Sequence, residues 1–229
     1  MRVTVIVLAL AVVLASGFSG SESDQPAAQA MAVQAPATLR TGEPKVLLLM
    51  AKRYGANYNW IRDVMEIYGW DVTTVGVTSR LATCYIGDTL TVDTLVTQIT
   101  DVSQYDCLAV MPANSSGTLG PHGQLLESPE ALALVAQAAA DSLLVVGFCT
   151  GVRVLAAADV ISGKQVTGNA TFMQEYLDAG AVWAGEPVPP VLDGNILTCT
   201  RNQTNAQRVC EIMRTAIDSL RVVRAGGQQ

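Results

Sequence analysis

A cysteine between an apolar run and a helical pattern is the arrangement in this chain best suited to chemistry. Leu143-Leu-Val-Val-Gly-Phe-Cys149-Thr-Gly passes from a strand-like stretch straight into a helix, with Cys149 at the turn. A thiol there projects from a sharp bend, close to backbone N–H groups. The helix N-terminus behind it favours thiolate over thiol. Gly147 and Gly151 supply the small flanks such a turn requires. The same local pattern also fits a buried small hydrophobe or half of a disulfide, and spacing does not separate these readings. The chain's single histidine is His122, which excludes multi-histidine metal sites and any Ser-His-Asp triad not built on it. Between Pro121 and Gly123 it reads first as a solvated loop residue. It becomes a candidate base for Cys149 only if the 117–123 loop folds back over the turn. No metal site is expected.

The elements around Cys149 alternate between short apolar runs and helical periodicity. Val46–Met50 and Cys107–Met111 suit strands buried on both faces, the second stopped by Pro112. Trp60, Ile61, Val64, Met65 and Tyr68 fall on one helix face, ended by Gly69. Asp71–Gly76 returns as a Val/Thr-rich strand. Ser128-Pro129-Glu130 opens a helix with an N-cap and a first-turn proline, and Leu132, Val135 and Ala139 mark its inner face. Leu143–Val146 is then a strand, Thr150–Ala158 a helix, and Phe172–Leu177 a short helical stretch before Ala181–Trp183. Asp193-Gly194 reads as a hairpin turn. Ala206, Val209, Cys210, Met213, Ile217 and Leu220 share the inner face of a last helix. Strands and helices alternating in this way predict an α/β domain with a mostly parallel sheet covered on both faces.

The chain has 229 residues and a formal charge of −6, with no Lys/Arg run. Phosphate binding needs clustered cations, so no nucleic-acid partner is expected, nor is a basic membrane patch. Neither a Gly-x-Gly-x-x-Gly nor a Gly-Lys-Ser/Thr loop occurs, so no nucleotide cofactor is implied. At the N-terminus, Arg2 precedes an apolar run, Val3–Leu14, that is too short to span a membrane, and Ala15, Ser16 and Gly17 follow. Residues 1–17 read as a signal peptide, 18–43 as a flexible linker, 44–222 as one domain and 223–229 as a tail. Export to a periplasmic or extracellular compartment follows, with no stable membrane span after processing. Oxidising surroundings permit disulfides, yet five cysteines are an odd number. Cys107 and Cys210 sit where core residues are expected. Cys84 lies in a polar loop and Cys199 near the end of a strand, and the pairing among the four stays open.

The segment Gly147-Phe-Cys-Thr-Gly-Val-Arg-Val-Leu-Ala-Ala-Ala-Asp-Val-Ile-Ser-Gly-Lys-Gln-Val-Thr-Gly resembles the ThiJ/PfpI superfamily, also called DJ-one/PfpI. Asp178-Ala-Gly-Ala-Val-Trp, Asp193-Gly-Asn-Ile-Leu-Thr and Tyr105-Asp-Cys-Leu-Ala-Val-Met-Pro extend the likeness over most of the chain after Lys45. The resemblance implies a flavodoxin-like three-layer sandwich of the class I glutamine amidotransferase type. It also implies a homodimer or larger assembly and a reactive elbow cysteine at Cys149. Members of the family include glyoxalase- or deglycase-like enzymes, isocyanide hydratases, chaperones and oxidative sensors. Several positions depart from the pattern. Thr150 follows the cysteine where many members carry histidine, and the family's acid falls on Asn57. The oxyanion loop reads Pro112-Ala113-Asn114, a second histidine is replaced by Asn169, and the late Ser-Arg becomes Cys199-Thr200-Arg201.

Two functions follow as expectations. In the first, Cys149 and Thr150 perform weak thiol chemistry on a small carbonyl or acyl electrophile, or act as an oxidative sensor, while backbone groups at Ala113 and Thr150 hold the developing charge. In the second, the chain is a non-catalytic module for a small-molecule ligand that lost the family acid and histidine. Without an adjacent base, only the helix dipole would favour the thiolate, and that is worth about 0.3–1 kcal/mol when exposed.

Overall fold

The computed structural model describes residues 41–84, 86–114, 118–186, 189–200 and 206–226. The expected signal peptide and all but the last three residues of the expected linker therefore lie outside the described residues. Elements follow in the order β1 (Lys45–Leu49), β2 (Arg53–Tyr54), α1 (Asn57–Ile67), β3 (Asp71–Gly76), β4 (Leu81–Cys84), β5 (Thr89–Thr91) and β6 (Thr94–Leu95). Next come β7 (Cys107–Val110), α2 (Gly123–Leu126), α3 (Pro129–Ala140), β8 (Leu144–Phe148) and α4 (Val152–Ala157). The chain ends with β9 (Gln165–Val166), α5 (Met173–Asp178), β10 (Val182–Trp183), β11 (Val191–Asp193), β12 (Ile196–Cys199) and α6 (Ala206–Gly226).

Seven strands form one sheet in the order β11-β12-β8-β7-β1-β3-β6. Every pairing is parallel except the β11–β12 hairpin. The apolar runs explain this placement, because β7, β8 and β12 are buried along their whole length. Alternation divides β1 between two cores. Val46 and Leu48 pack with Ile61, Met65, Val209, Met213 and Ile217 of α1 and α6. Leu47 and Leu49 pack on the other side with Val135, Val152 and Leu155 of α3 and α4. The result is the expected three-layer α/β sandwich. Among the described residues no helix is long and apolar enough to cross a membrane.

Several sequence readings shift in the structure. The buried side of α1 is Tyr58, Ile61 and Met65, while Trp60 is 41% exposed. An i, i+3, i+7 line suffices to seat an 11-residue helix, so its neighbour need not be covered. Cys84 does not lie in a polar loop. It closes β4 in a small sheet, β2-β4-β5, and is buried. Strands of two to four residues leave too short a pattern to read. Cys84, Cys107 and Cys210 are buried free thiols, which settles the pairing that the sequence left open: none of these three is in a disulfide. Burial pushes the Cys107 thiol up and that of Cys210 to about 12, which makes them inert. α6 runs past the expected boundary at 222 to Gly226. Arg224 anchors this end, donating to the Tyr105 carbonyl (3.1 Å) and to Asp106 Oδ1 (3.1 Å).

The turn after β8 is held by contact with the end of β7. A β-carbon at Gly151 would lie 2.5 Å from the Val110 carbonyl oxygen, a rigid group that cannot move aside. Gly151→Ala is therefore expected to cost at least about 2 kcal/mol, through displacement of the helix start. Urea unfolding against wild type measures it.

Candidate active site

Cys149 sits at the carboxyl end of β8, where open parallel sheets place their chemistry. Its backbone is left-handed, with φ +53°, a conformation that costs a residue bearing a β-carbon about 1–2 kcal/mol. Cys149–Gly151 form a 3-10 turn that passes into α4, so the sequence's strand-to-helix elbow is present with its sulfur-bearing residue 8% exposed. α4 itself has only six residues, shorter than the helix read from 150 to 158. Its dipole is correspondingly weak support for a thiolate.

Thr150 is engaged on every side. The Ala113 N–H donates to Thr150 Oγ1 (3.1 Å) and the Thr150 hydroxyl donates to the Ala113 carbonyl oxygen (3.3 Å). His122 Nε2 lies 3.1 Å from the same Oγ1. A hydroxyl has one proton and two lone pairs. With its proton on the Ala113 carbonyl, the lone pairs accept the Ala113 and His122 Nε2 protons. This assigns the Nε2–H tautomer. It leaves only a bare lone pair on Nδ1, which is buried without a partner, whereas the other tautomer would strand a buried N–H. The backbone N–H of Ala113, read from sequence as a charge-stabilising group, is thus taken up by the Thr150 hydroxyl oxygen.

His122 is fully buried rather than solvated. Arg153 explains the difference. Its guanidinium, itself 6% exposed, donates to the carbonyls of Leu119 (2.9 Å) and Pro121. It forms a bidentate pair with Glu175 at 2.7 and 2.9 Å and lies 4.2 Å over the Phe172 ring. The loop before α2 is thereby pulled down onto the elbow. Burial, with a smaller contribution from Arg153, lowers the His122 pKa to about 3. An imidazole so reluctant to accept a proton is a poor base for a thiol, which argues against the rescue role.

The structure places the two degenerate positions in α1 and at the 3-10 turn before α5. Asn57 is half-buried at the first position of α1. Its neighbour Tyr58 is buried edge-on to Tyr54, with ring centroids 5.3 Å apart. Asn169 caps a 3-10 turn, its side chain accepting from Thr171 N–H (3.0 Å). No group of three metal-ligating side chains occurs among the described residues.

The model of the DJ-1/PfpI family matches residues 44–215, well over half the chain. This chain belongs to the DJ-1/PfpI family. Protein DJ-1 homolog D of Arabidopsis thaliana is 31% identical over 101 residues, 43% of this chain and 24% of that protein. The matched segment thus covers about a quarter of that curated relative. The ThiJ/PfpI domain protein from Brachyspira murdochii has the same fold at a TM-score of 0.66 and 18% identity, covering 78% of this chain and 99% of that one. Drosophila melanogaster DJ-1beta gives 0.64 and 19%, with coverage of 82% and 98%.

Sequence reasoning on this DJ-1/PfpI chain missed Arg153, Glu175 and Tyr176. Arg153 lies one turn beyond Cys149, and an arginine so close to a candidate nucleophile was the available signal. Tyr176 is fully buried and stacks on Trp183 with centroids 5.8 Å apart.

Two outcomes are expected. The left-handed backbone makes Cys149→Gly more stable than Cys149→Ala by about 1 kcal/mol in thermal unfolding. For His122, the unfolded chain binds a proton near pH 6.5, whereas the folded chain resists it down to about 3. The stability from keeping it neutral is full above 6.5 and falls by about 1.4 kcal/mol per unit as pH drops towards 3. Between pH 7 and 5, wild type should lose about 2 kcal/mol that His122→Asn does not lose, since asparagine tolerates the left-handed backbone of His122 (φ +67°) without titrating.

Proposed function

We propose that this DJ-1/PfpI chain is an exported protein whose Cys149 thiol adds to small carbonyl compounds. The observation that carries the reading is the left-handed backbone that holds Cys149 at the carboxyl end of β8, since strain of this kind persists where the surroundings enforce it and clusters at working sites. In the addition, sulfur bonds to the carbonyl carbon, the carbon–oxygen π bond opens, and the thiol proton finishes on that oxygen. The product is a hemithioacetal, and the atoms balance without a further reactant. The addition is slow, because His122 is a poor base and Asn57 and Asn169 carry no acid or imidazole. A positioned general base is worth typically 10²–10⁴-fold. Export rests on the 1–17 segment and is checked by N-terminal mass of the fractionated protein. A homodimer or larger assembly is proposed on the family resemblance.

The saturated Thr150–Ala113–His122 contacts favour a second reading, a ligand-binding module without turnover. Iodoacetamide labelling of the native protein across pH, read by peptide mass, separates the two. Thiol chemistry predicts that Cys149 labels at least tenfold faster than Cys107 and Cys210, and that Cys149→Ser loses all carbonyl adduct. Labelling of Cys149 only after unfolding would leave the binding module.

A further inference from the structure

The Ala113 N–H and the Thr150 hydroxyl at the elbow are bonded to each other, so neither is free to meet the oxygen of an incoming carbonyl. Among the buried side-chain polar atoms without a hydrogen-bond partner are the His122 Nδ1 and the Tyr176 hydroxyl. On the tautomer assigned above, Nδ1 carries a lone pair. The Tyr176 hydroxyl carries a proton.

Tyr176 is held for this task from three directions. Its residue is fully buried and its ring stacks at 29° on Trp183. A β-carbon at Gly168 would stand 3.1 Å from Tyr176 Cε2, 3.2 Å from its hydroxyl oxygen and 3.2 Å from Val152 Cγ2. The hydroxyl end therefore reaches the first turn of α4 through the gap that Gly168 leaves, beside the segment that begins at Cys149. Burial drives the phenol's pKa up, and among the ionisable side chains around it Cys149 acts most strongly, ahead of Glu175 and Arg153. The Asn169 amide opposes the rise, although it does not meet hydrogen-bond geometry with the oxygen. A phenol that stays protonated is a donor at any working pH. A buried donor left without an acceptor is costly, and that cost is relieved when an acceptor arrives.

We infer that Tyr176 is a catalytic residue whose hydroxyl donates a hydrogen bond to the oxygen of a carbonyl compound adding to Cys149. The inference rests on the thiol-addition reading and deepens it. Gly168 is a positioning residue for the same bond, because a side chain there would displace the phenol. The ligand class is narrowed to carbonyl compounds small enough for the oxygen to reach a donor below the surface while the carbon meets sulfur.

The test measures the concentration of methylglyoxal that half-protects Cys149 from iodoacetamide in the full chain, with the unprotected labelling rate used for normalisation. Tyr176→Phe should raise the half-protecting concentration about tenfold, the size of one lost hydrogen bond, while its melting temperature holds or rises because an unmatched buried hydroxyl is gone. A residue with a merely structural role would not lose protection while keeping its stability. Gly168→Ala should shift protection in the same direction, and the double variant should lose no more than Tyr176→Phe alone. Unchanged protection in Tyr176→Phe, with wild type protected, overturns the inference and leaves thiol addition standing. Absence of protection in wild type overturns both.

Discussion

The Thr150 hydroxyl is the point on which the site depends. One oxygen, 3.1 Å from both the Ala113 amide and His122 Nε2, ties together the elbow, the end of β7 and the loop before α2. The contact is possible because Gly151 allows the turn to pass against Val110. Each of these bonds is worth only about 0.5–1.5 kcal/mol net. Their geometric effect is larger than that energy, because they fix three segments distant in sequence around a single side chain. The same saturation sets the chemistry, since atoms that hold the site together are not free to hold a substrate.

Arg153 and Glu175 complete the enclosure from the opposite flank. A buried guanidinium is tolerable only when its donors are matched. Here two loop carbonyls, a bidentate carboxylate and an aromatic face match them. The arginine is in this respect a clamp on the loop bearing His122, and its charge helps to keep that imidazole neutral. The site is thus assembled by polar contacts between elements, while the two apolar cores on either side of β1 keep the sheet in place.

Much of the framework was legible in the residues. The runs that became β7, β8 and β1 after Lys45 are apolar because both sheet faces are covered. Ser128 reads as a cap and its oxygen accepts the Ala131 N–H (3.2 Å). The elbow at Cys149 could be read because a nucleophile between a strand and a helix leaves a local signature. The small β2-β4-β5 sheet could not, since strands of two to four residues are too short to show a period. Nor could the burial of His122, which a residue 31 positions away imposes. Tyr176 was hidden for a similar reason: in sequence it is one apolar residue on a six-residue helix, and only the fold sets its hydroxyl beside the elbow. Contacts between remote segments leave no local pattern, and the candidate site consists mostly of such contacts.

At the other end of the sheet, Asp106 is 1% exposed and accepts from Lys45 N–H (3.0 Å) and from Arg221 at 3.0 and 2.7 Å. Its counter-charges arrive on α6, more than a hundred residues later in the chain. Until that helix is synthesised, β1 and β7 can pair only around a carboxylate that must stay wet or take up a proton. The sheet's centre therefore cannot close into its final form while the chain is still growing. A ribosome-bound or C-terminally shortened chain would expose its amino-end edge to chaperones and proteases, and the last helix acts as the latch that ends this vulnerable period.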